Sequence, residues 1–376
     1  MRSSAARRPP LLALGLALAL GPALGLALFS VACSRTPEAQ PDAAVPFASA
    51  APMAAAAKAL GTSTAPPSAA TPAAAAAASY KLPASARVVA IGDIHGDLTA
   101  MRGALKLAGA IDSDDRWIGK TLTVVQTGDQ VDRGDQDREV LDVLEKLEAS
   151  AKAAGGALHV LNGNHELMNA VFDFRYVTRK SFASFDEFSS RAGELAGRIR
   201  EAELGRAAAF MPGAPYAQKL ARHLTVAQVG DSLFAHAGVL PAHVDYGLDR
   251  INREASAFLD GKSRDLPRIL SDEEGPVWTR VYGGPVVDDA TCQVLGRALS
   301  AVGAKRLIVG HTVQEHGISS ACQERLFRID IGLSAYYGKK PPQVLEITAA
   351  GVRVLGGAGT DTKKGKAADS ALHSAP

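Results

Sequence analysis

Five short segments of the chain carry the residue types that hold metal ions or move protons, and each follows a run of apolar, largely β-branched residues. They are Gly92-Asp93-Ile94-His95-Gly96, Gly128-Asp129-Gln130-Val131-Asp132-Arg133-Gly134, Gly163-Asn164-His165-Glu166, His236-Ala237-Gly238 and Gly310-His311-Thr312. Asp93 and His95 stand two apart on extended backbone, so their side chains point the same way and can hold one ion. The flanking glycines let the backbone turn tightly around it. Taken alone, each segment has an ordinary explanation: a glycine-aspartate pair is usually a turn, and a histidine at a strand end is usually a hydrogen-bonded structural residue. The series is harder to explain that way. An α/β sheet collects its ligands beyond the carboxyl ends of its strands, and here five such ends offer oxygen and imidazole donors.

The preceding runs, Arg87 to Ile91, Thr121 to Gln126, Ala157 to Leu161, Leu233 to Ala235 and Arg306 to Val309, read as buried strands. Helical patterns at about Leu98 to Leu107 and Arg138 to Ala153 separate the first three, which predicts a β-α-β-α-β start. Farther on, Gly230-Asp231 and Ala349-Ala350-Gly351 lie between apolar runs and predict antiparallel hairpins. The fold class that accommodates both is a layered α/β sandwich. Residues 172–224 differ in texture, with Phe182, Phe185 and Phe188 followed by Ala, Glu and Arg at helical spacing. They predict a helical insertion beside the catalytic face, its aromatics packing rather than touching substrate.

In order, GDIHG, GDQVDRG, GNHE, HAG and GHT resemble the motifs of the calcineurin-like metallophosphoesterase superfamily, over most of residues 87–333. The VDRG element is similar to its phosphoprotein phosphatase branch. GNHELMN, followed by FRYVT at Phe174 to Thr178, resembles the Shewanella-like protein phosphatases. The SAPNY-type motif of the common eukaryotic serine/threonine phosphatases is absent, and residues 330–338 read DIGLSAYYG.

The resemblance implies two mixed β-sheets flanked by helices, around two divalent or trivalent metal ions. Asp93, His95 and His311 would hold one ion, Asn164 and His236 the other, and Asp129 would bridge them. Oxygen and imidazole ligands without thiolate suit manganese, iron or zinc, with manganese the first expectation. The implied reaction is phosphomonoester hydrolysis by a hydroxide bridging the two ions. His165, next to a ligand but not one itself, would be the general acid, held in its tautomer by Asp132. Arg133 would grip the phosphate as a bidentate fork, with Arg280 the candidate for a second clamp. Glu166 would support the loop. His159, inside a strand, and His223, His243 and His316, in surface-like contexts or past the GHT loop, take structural readings. Arg175 either reaches the substrate pocket or pins the insertion.

The substrate expected on these grounds is a phosphorylated protein, carrying phosphotyrosine or phosphoserine/threonine, or a small phosphomonoester. Two alternatives are a dinucleoside polyphosphate or nucleotide hydrolase and a non-catalytic metal-binding envelope protein, the latter disfavoured because His165 and Asp132 are both present. With 41 basic and 39 acidic residues the chain gives no electrostatic reason to expect nucleic acid.

Residues 1–33 have the order of an export signal: Arg2, Arg7 and Arg8, an apolar run from Leu11 to Phe29, then small residues up to Cys33. Ser30-Val31-Ala32-Cys33 resembles a bacterial lipobox, although Ser30 stands where leucine is usual. A lipoprotein on the periplasmic side of a bacterial cell envelope is the first reading, with cleavage near Ala32 or an uncleaved anchor as the others. Membrane contact is expected only through that lipid or anchor. Residues 34–86, rich in Ala, Pro, Ser and Thr, predict a disordered tether, residues 87–357 the catalytic domain, and residues 358–376 a solvated tail. Cys292 and Cys322 could pair in an oxidising compartment or remain two buried thiols. The sequence carries no signature of oligomeric state.

Overall fold

The computed structural model describes residues 79–357; the export signal, Cys33, most of the tether and the tail at 358–376 lie outside the described residues. Eleven strands run in chain order as β1 (Lys81–Leu82), β2 (Arg87–Ile91), β3 (Thr123–Gln126), β4 (Ala157–Val160), β5 (Val226–Val229), β6 (Ser232–Ala235), β7 (Arg306–Val309), β8 (Ser319–Ala321), β9 (Leu326–Arg328), β10 (Gln343–Thr348) and β11 (Gly351–Gly356). They form two mixed sheets, one ordered β11-β10-β2-β3-β4 and the other β1-β5-β6-β7-β9-β8.

In the first sheet β2, β3 and β4 are parallel, joined by helices Leu98–Leu107 and Asp137–Ala153 as the β-α-β-α-β pattern predicts. The first helix starts where the Asp97 carboxylate accepts from the Ala100 N–H, a side-chain cap for an otherwise orphan donor. Alternation along the strands assigns their faces. Val88 and Ala90 of β2 pack between the sheets with Phe234 and Ile308, whereas Val89 and Ile91 pack outward with Leu98, Met101 and Leu144. On the outside of the second sheet Leu233, Ala235, Leu307 and Val309 meet the insertion and the later helices.

Both expected hairpins form. Val229 pairs Ser232 across Gly230-Asp231, and Thr348 pairs Gly351 across Ala349-Ala350. The later half is nevertheless less antiparallel than its turns suggest, because helix Asp289–Val302 crosses over and returns β7 parallel to β6, with β9 parallel to β7. Residues 80–82, expected in the tether, instead join the domain: β1 pairs β5, and the Tyr80 N–H donates to Asp249 Oδ1 at 2.7 Å. Tyr80 and Leu82 supply apolar surface that the Ala- and Pro-rich residues before them lack.

The insertion is helical, with helices Arg179–Ala183, Leu204–Phe210 and Pro215–Leu220 and short 3-10 turns between. Phe185 lies edge-on to Phe210 and Tyr216, with ring centres 5.2 and 4.9 Å away. Phe182, Phe185 and Phe188 join a core, as expected, whereas Tyr176 of the same segment lies beside His165. Cys292 and Cys322 are disulfide-bonded with Cα atoms 5.3 Å apart, tying the crossover helix to the turn before β9.

Candidate active site

The parallel strands of the two sheets end at one place. β2, β3 and β4 deliver Asp93 and His95, Asp129, and Asn164, while β6 and β7 deliver His236 and His311 from the facing sheet. All six are buried. The loops that present them are tight and strained. His95, Asp129, Asp132, Arg133 and His311 all have positive φ, a conformation disfavoured for residues with a Cβ and concentrated at functional sites. A Cβ at Gly163 would collide with the Asp129 carboxylate, and one at Gly310 with that of Asp93, so both positions need glycine.

Three of the histidines share one hydrogen-bonding habit. His95 Nδ1 lies 3.1 Å from the Val131 carbonyl, His236 Nδ1 3.0 Å from that of Thr127, and His311 Nε2 3.1 Å from that of Trp278. A carbonyl only accepts, so the facing nitrogen carries the proton and the other ring nitrogen presents a lone pair. Those of His236 and His311 converge. His236 Nε2 is 2.8 Å from Asn164 Oδ1, 3.1 Å from His311 Nδ1 and 3.3 Å from Asp129 Oδ2, and His311 Nδ1 is 3.1 Å from Asn164 Oδ1. Acceptors this close, with no proton to share, repel one another unless a cation lies among them.

The charges agree. Burial lowers the basicity of His95 and His311, further depressed by Arg133 for the first and by His236 and Arg280 for the second, so both are held well below the ordinary histidine range as neutral rings. Burial raises Asp129, but the neighbouring His236 and His165 outweigh it and keep this carboxyl well below its usual range. Asp93 is pushed well above it by burial and by the charges of Asp330 and Asp129. A buried carboxylate shared among imidazoles is a donor set for metal ions with oxygen and nitrogen preference. The clusters His95-Asp129-His165 and Asp129-His236-His311 share Asp129, the residue expected to bridge.

One expected grouping changes. His311 was placed with Asp93 and His95, but its ring nitrogen lies with Asn164 and His236, and only its backbone N–H reaches Asp93, at 3.0 Å to Oδ2. The left-handed backbone at His311 turns the side chain toward β6 and leaves the N–H facing β2.

His165 is built differently. Its Nδ1 faces a carboxylate, Asp132 Oδ2, at 2.7 Å, and its Nε2 is buried without a hydrogen-bond partner among the described residues, 3.7 Å from Asp129 Oδ2. Burial lowers its basicity, but the charges of Asp129 and Asp132 and the bond to Asp132 outweigh burial and Arg133, so it titrates above an ordinary histidine. A ring bonded to a carboxylate in this way can carry a second proton, which the three carbonyl-bonded rings are not arranged to do.

Arg133 Nη1 lies 2.6 Å from His95 Nε2 and also bonds the Tyr337 hydroxyl, with its guanidinium 5.1 Å from the Tyr176 ring centre and 5.9 Å from that of Tyr336. Arg280 Nη1 donates to Thr312 Oγ1 at 3.2 Å, beside His311. Both arginines border the cluster. Glu166 supports the loops as expected, accepting from the backbone N–H groups of Asp129, Gln130 and Gly163 at 2.9, 2.8 and 2.7 Å. Arg175 pairs with Asp173 at 2.6 Å. His243, expected near the surface, is buried and bonded between the Leu240 N–H and the Glu274 carbonyl.

Sequence reasoning missed Asp330 and Arg206. Asp330 follows β9 as a sixth strand end, with Asp330-Ile331-Gly332 its available signal; burial pushes it up to about 6, and its Oδ2 is buried without a partner among the described residues. Arg206 is the one charge in the apolar run Leu204-Gly205-Arg206-Ala207-Ala208-Ala209-Phe210, and it is fully buried.

The site is that of a metal-dependent phosphoester hydrolase. Residues 86–315 match the model of the calcineurin-like phosphoesterases, and the chain belongs to that family. Among curated relatives it is 40% identical to Shewanella-like protein phosphatase 2 of Arabidopsis thaliana over 301 residues, covering 72% of this chain and 77% of that one. It is 28% identical over 273 residues to Shewanella-like protein phosphatase 1 of Plasmodium berghei (strain Anka), covering 70% and 72%. Among solved structures it superposes on a cold-active protein tyrosine phosphatase, of which a second structure is from a psychrophilic Shewanella species, with a TM-score of 0.61 at 27% identity over 74% of this chain and 78% of that one. The protein is therefore a hydrolytic phosphatase with metal ions at its centre.

Proposed function

We propose that the protein hydrolyses phosphomonoesters on phosphoproteins, phosphotyrosine foremost, with Asp93, His95, Asp129, Asn164, His236 and His311 holding two ions, manganese before iron or zinc. When bound, the ions supply charge stabilisation at phosphorus and an activated water at neutral pH. The residues of the chain do the rest. Arg133 grips the non-bridging phosphate oxygens, with Arg280 across the cluster as the second clamp. His165 delivers its Nε2 proton to the departing oxygen, and Asp132 fixes its tautomer from the other side.

The observation that carries this reading is the division among the histidines: three bond a backbone carbonyl and turn a lone pair inward, and one bonds a carboxylate. A metal-binding module has no use for the fourth. The phenolic preference is supported by the rings of Tyr176, Tyr336 and Tyr337 around Arg133, which can flank an aryl leaving group. The similarity to a cold-active protein tyrosine phosphatase supports it too.

The test is an assay of the purified protein with manganese, iron or zinc on phosphotyrosine and phosphoserine peptides and diadenosine tetraphosphate. Phosphotyrosine should turn over fastest, and Asp129→Asn should abolish turnover of every substrate. Faster cleavage of the dinucleotide, or inactivity with each metal, overturns the proposal.

A further inference from the structure

The insertion buries a cation against the catalytic loops. Arg206 lies on helix Leu204–Phe210, fully buried, its guanidinium 5.2 and 4.9 Å from the ring centres of Phe185 and Phe210. Its donors are committed on every side. Nη2 meets Asp132 Oδ1 at 2.9 Å and Asp137 Oδ2 at 2.8 Å, Nε donates to Asn169 Oδ1 at 2.7 Å, and Nη1 to Ser181 Oγ at 2.7 Å. These partners are cross-braced: Asn169 Nδ2 donates to Asp132 Oδ1 at 3.0 Å, Ser181 Oγ to Asp137 Oδ2 at 2.6 Å, and the Asp132 N–H to Asp137 Oδ1 at 3.0 Å.

We propose that Arg206 is a positioning residue for the leaving-group acid, an inference that rests on the assignment of His165 above. One oxygen of Asp132 is held by Arg206 and Asn169, which leaves the other aimed at His165 Nδ1, 2.7 Å away. Two buried side chains, Arg206 and Asn169, thus fix the rotation of one carboxylate, braced in turn by Asp137 and Ser181. Removing the guanidinium leaves Asp132 and Asp137 buried with no other ion pair to a lysine or arginine among the described residues. Asp132 then turns away from His165 toward other donors, and the imidazole loses the partner that sets its tautomer. A carboxylate held only for packing would not need that orientation. The insertion is by this account part of the proton-delivery apparatus.

The acid matters in proportion to how badly the departing oxygen needs a proton. Manganese-loaded full-length protein is assayed on 2,4-dinitrophenyl phosphate, whose phenolate leaves unaided, and on phenyl phosphate, whose phenolate does not. His165→Asn sets the scale. Arg206→Gln is expected to lower kcat on phenyl phosphate about tenfold or more, a fraction of what general acids contribute, with less than about a threefold loss on the dinitrophenyl ester and KM unchanged. Arg206→Lys should recover part of the loss. Asn169→Ala, which removes the second donor to the same oxygen, gives the same readout if Arg206→Gln does not fold. Equal losses on both esters, while His165→Asn discriminates between them, overturn the role of Arg206 alone. If His165→Asn itself does not discriminate, the acid assignment falls and this inference with it.

Discussion

His165 and the three carbonyl-bonded histidines are buried alike, so the partner of the outer ring nitrogen decides what each can do. A carbonyl holds a proton in place and leaves the inner nitrogen a neutral donor; a carboxylate stabilises the doubly protonated ring. The same reasoning identifies Glu166 as a brace. It is buried, is raised to about 7 chiefly by burial and next by the charge of Asp129, and accepts from four backbone N–H groups of the two loops that carry Asp129 and Asn164. Glu166→Ala would leave four buried donors unpaired, at about 1–3 kcal/mol each before relaxation. Metal-stripped Glu166→Ala should therefore lose about 3 kcal/mol or more of stability in urea unfolding; a midpoint unchanged from wild type would remove this role. The expected ligands were legible in the sequence because each follows a strand and has a glycine within two residues. Arg206 and Asp330 were not, since their meaning comes from Asp132 and Asp93, far away in the chain.

At the scale of elements, β2, β3, β4, β6 and β7 could be read because they are short, largely apolar and end on the site. Helices Leu248–Leu259 and Asp289–Val302 went unread, and with the second went the parallel return of β7, since no local signal says which strand a crossover will pair. The insertion was recognised as helical, but its link to the catalytic loops was invisible until Phe185, Phe210 and Arg206 met. Phe185→Ala should cost about 3–5 kcal/mol by cavity formation, and it also strips one face from Arg206. A thermal melt together with kcat measured well below the transition checks this. Lost stability with an unaltered turnover of phenyl phosphate would separate the insertion's packing from its place beside Asp132. The Cys292–Cys322 bond closes a sequence separation of 30 residues, for which loop-closure entropy predicts about 3–4 kcal/mol. Cys292→Ser with Cys322→Ser should unfold at correspondingly lower urea, and reductant should move the wild type to the same midpoint. Coincident midpoints for oxidised, reduced and doubly substituted protein would contradict it.

For the whole molecule, the disulfide and the N-terminal segment bear on the same question of compartment. A disulfide between a crossover helix and the turn before β9 persists where thiols are oxidised, which suits the export expected from the order of residues 1–33. The domain that needs the metal ions begins by Tyr80, so about 45 residues rich in Ala, Pro, Ser and Thr separate it from Cys33. We propose attachment through a lipid on Cys33. In a bacterial host expressing the full chain, radiolabelled palmitate should enter the protein and the activity should sediment with the envelope. Cys33→Ser should abolish labelling and, where the signal is still cut near Ala32, release the phosphatase in active form to the soluble periplasmic fraction. Sedimentation of Cys33→Ser with the envelope would instead identify the apolar run from Leu11 to Phe29 as an uncut anchor, and soluble wild type would identify an ordinary cleaved signal.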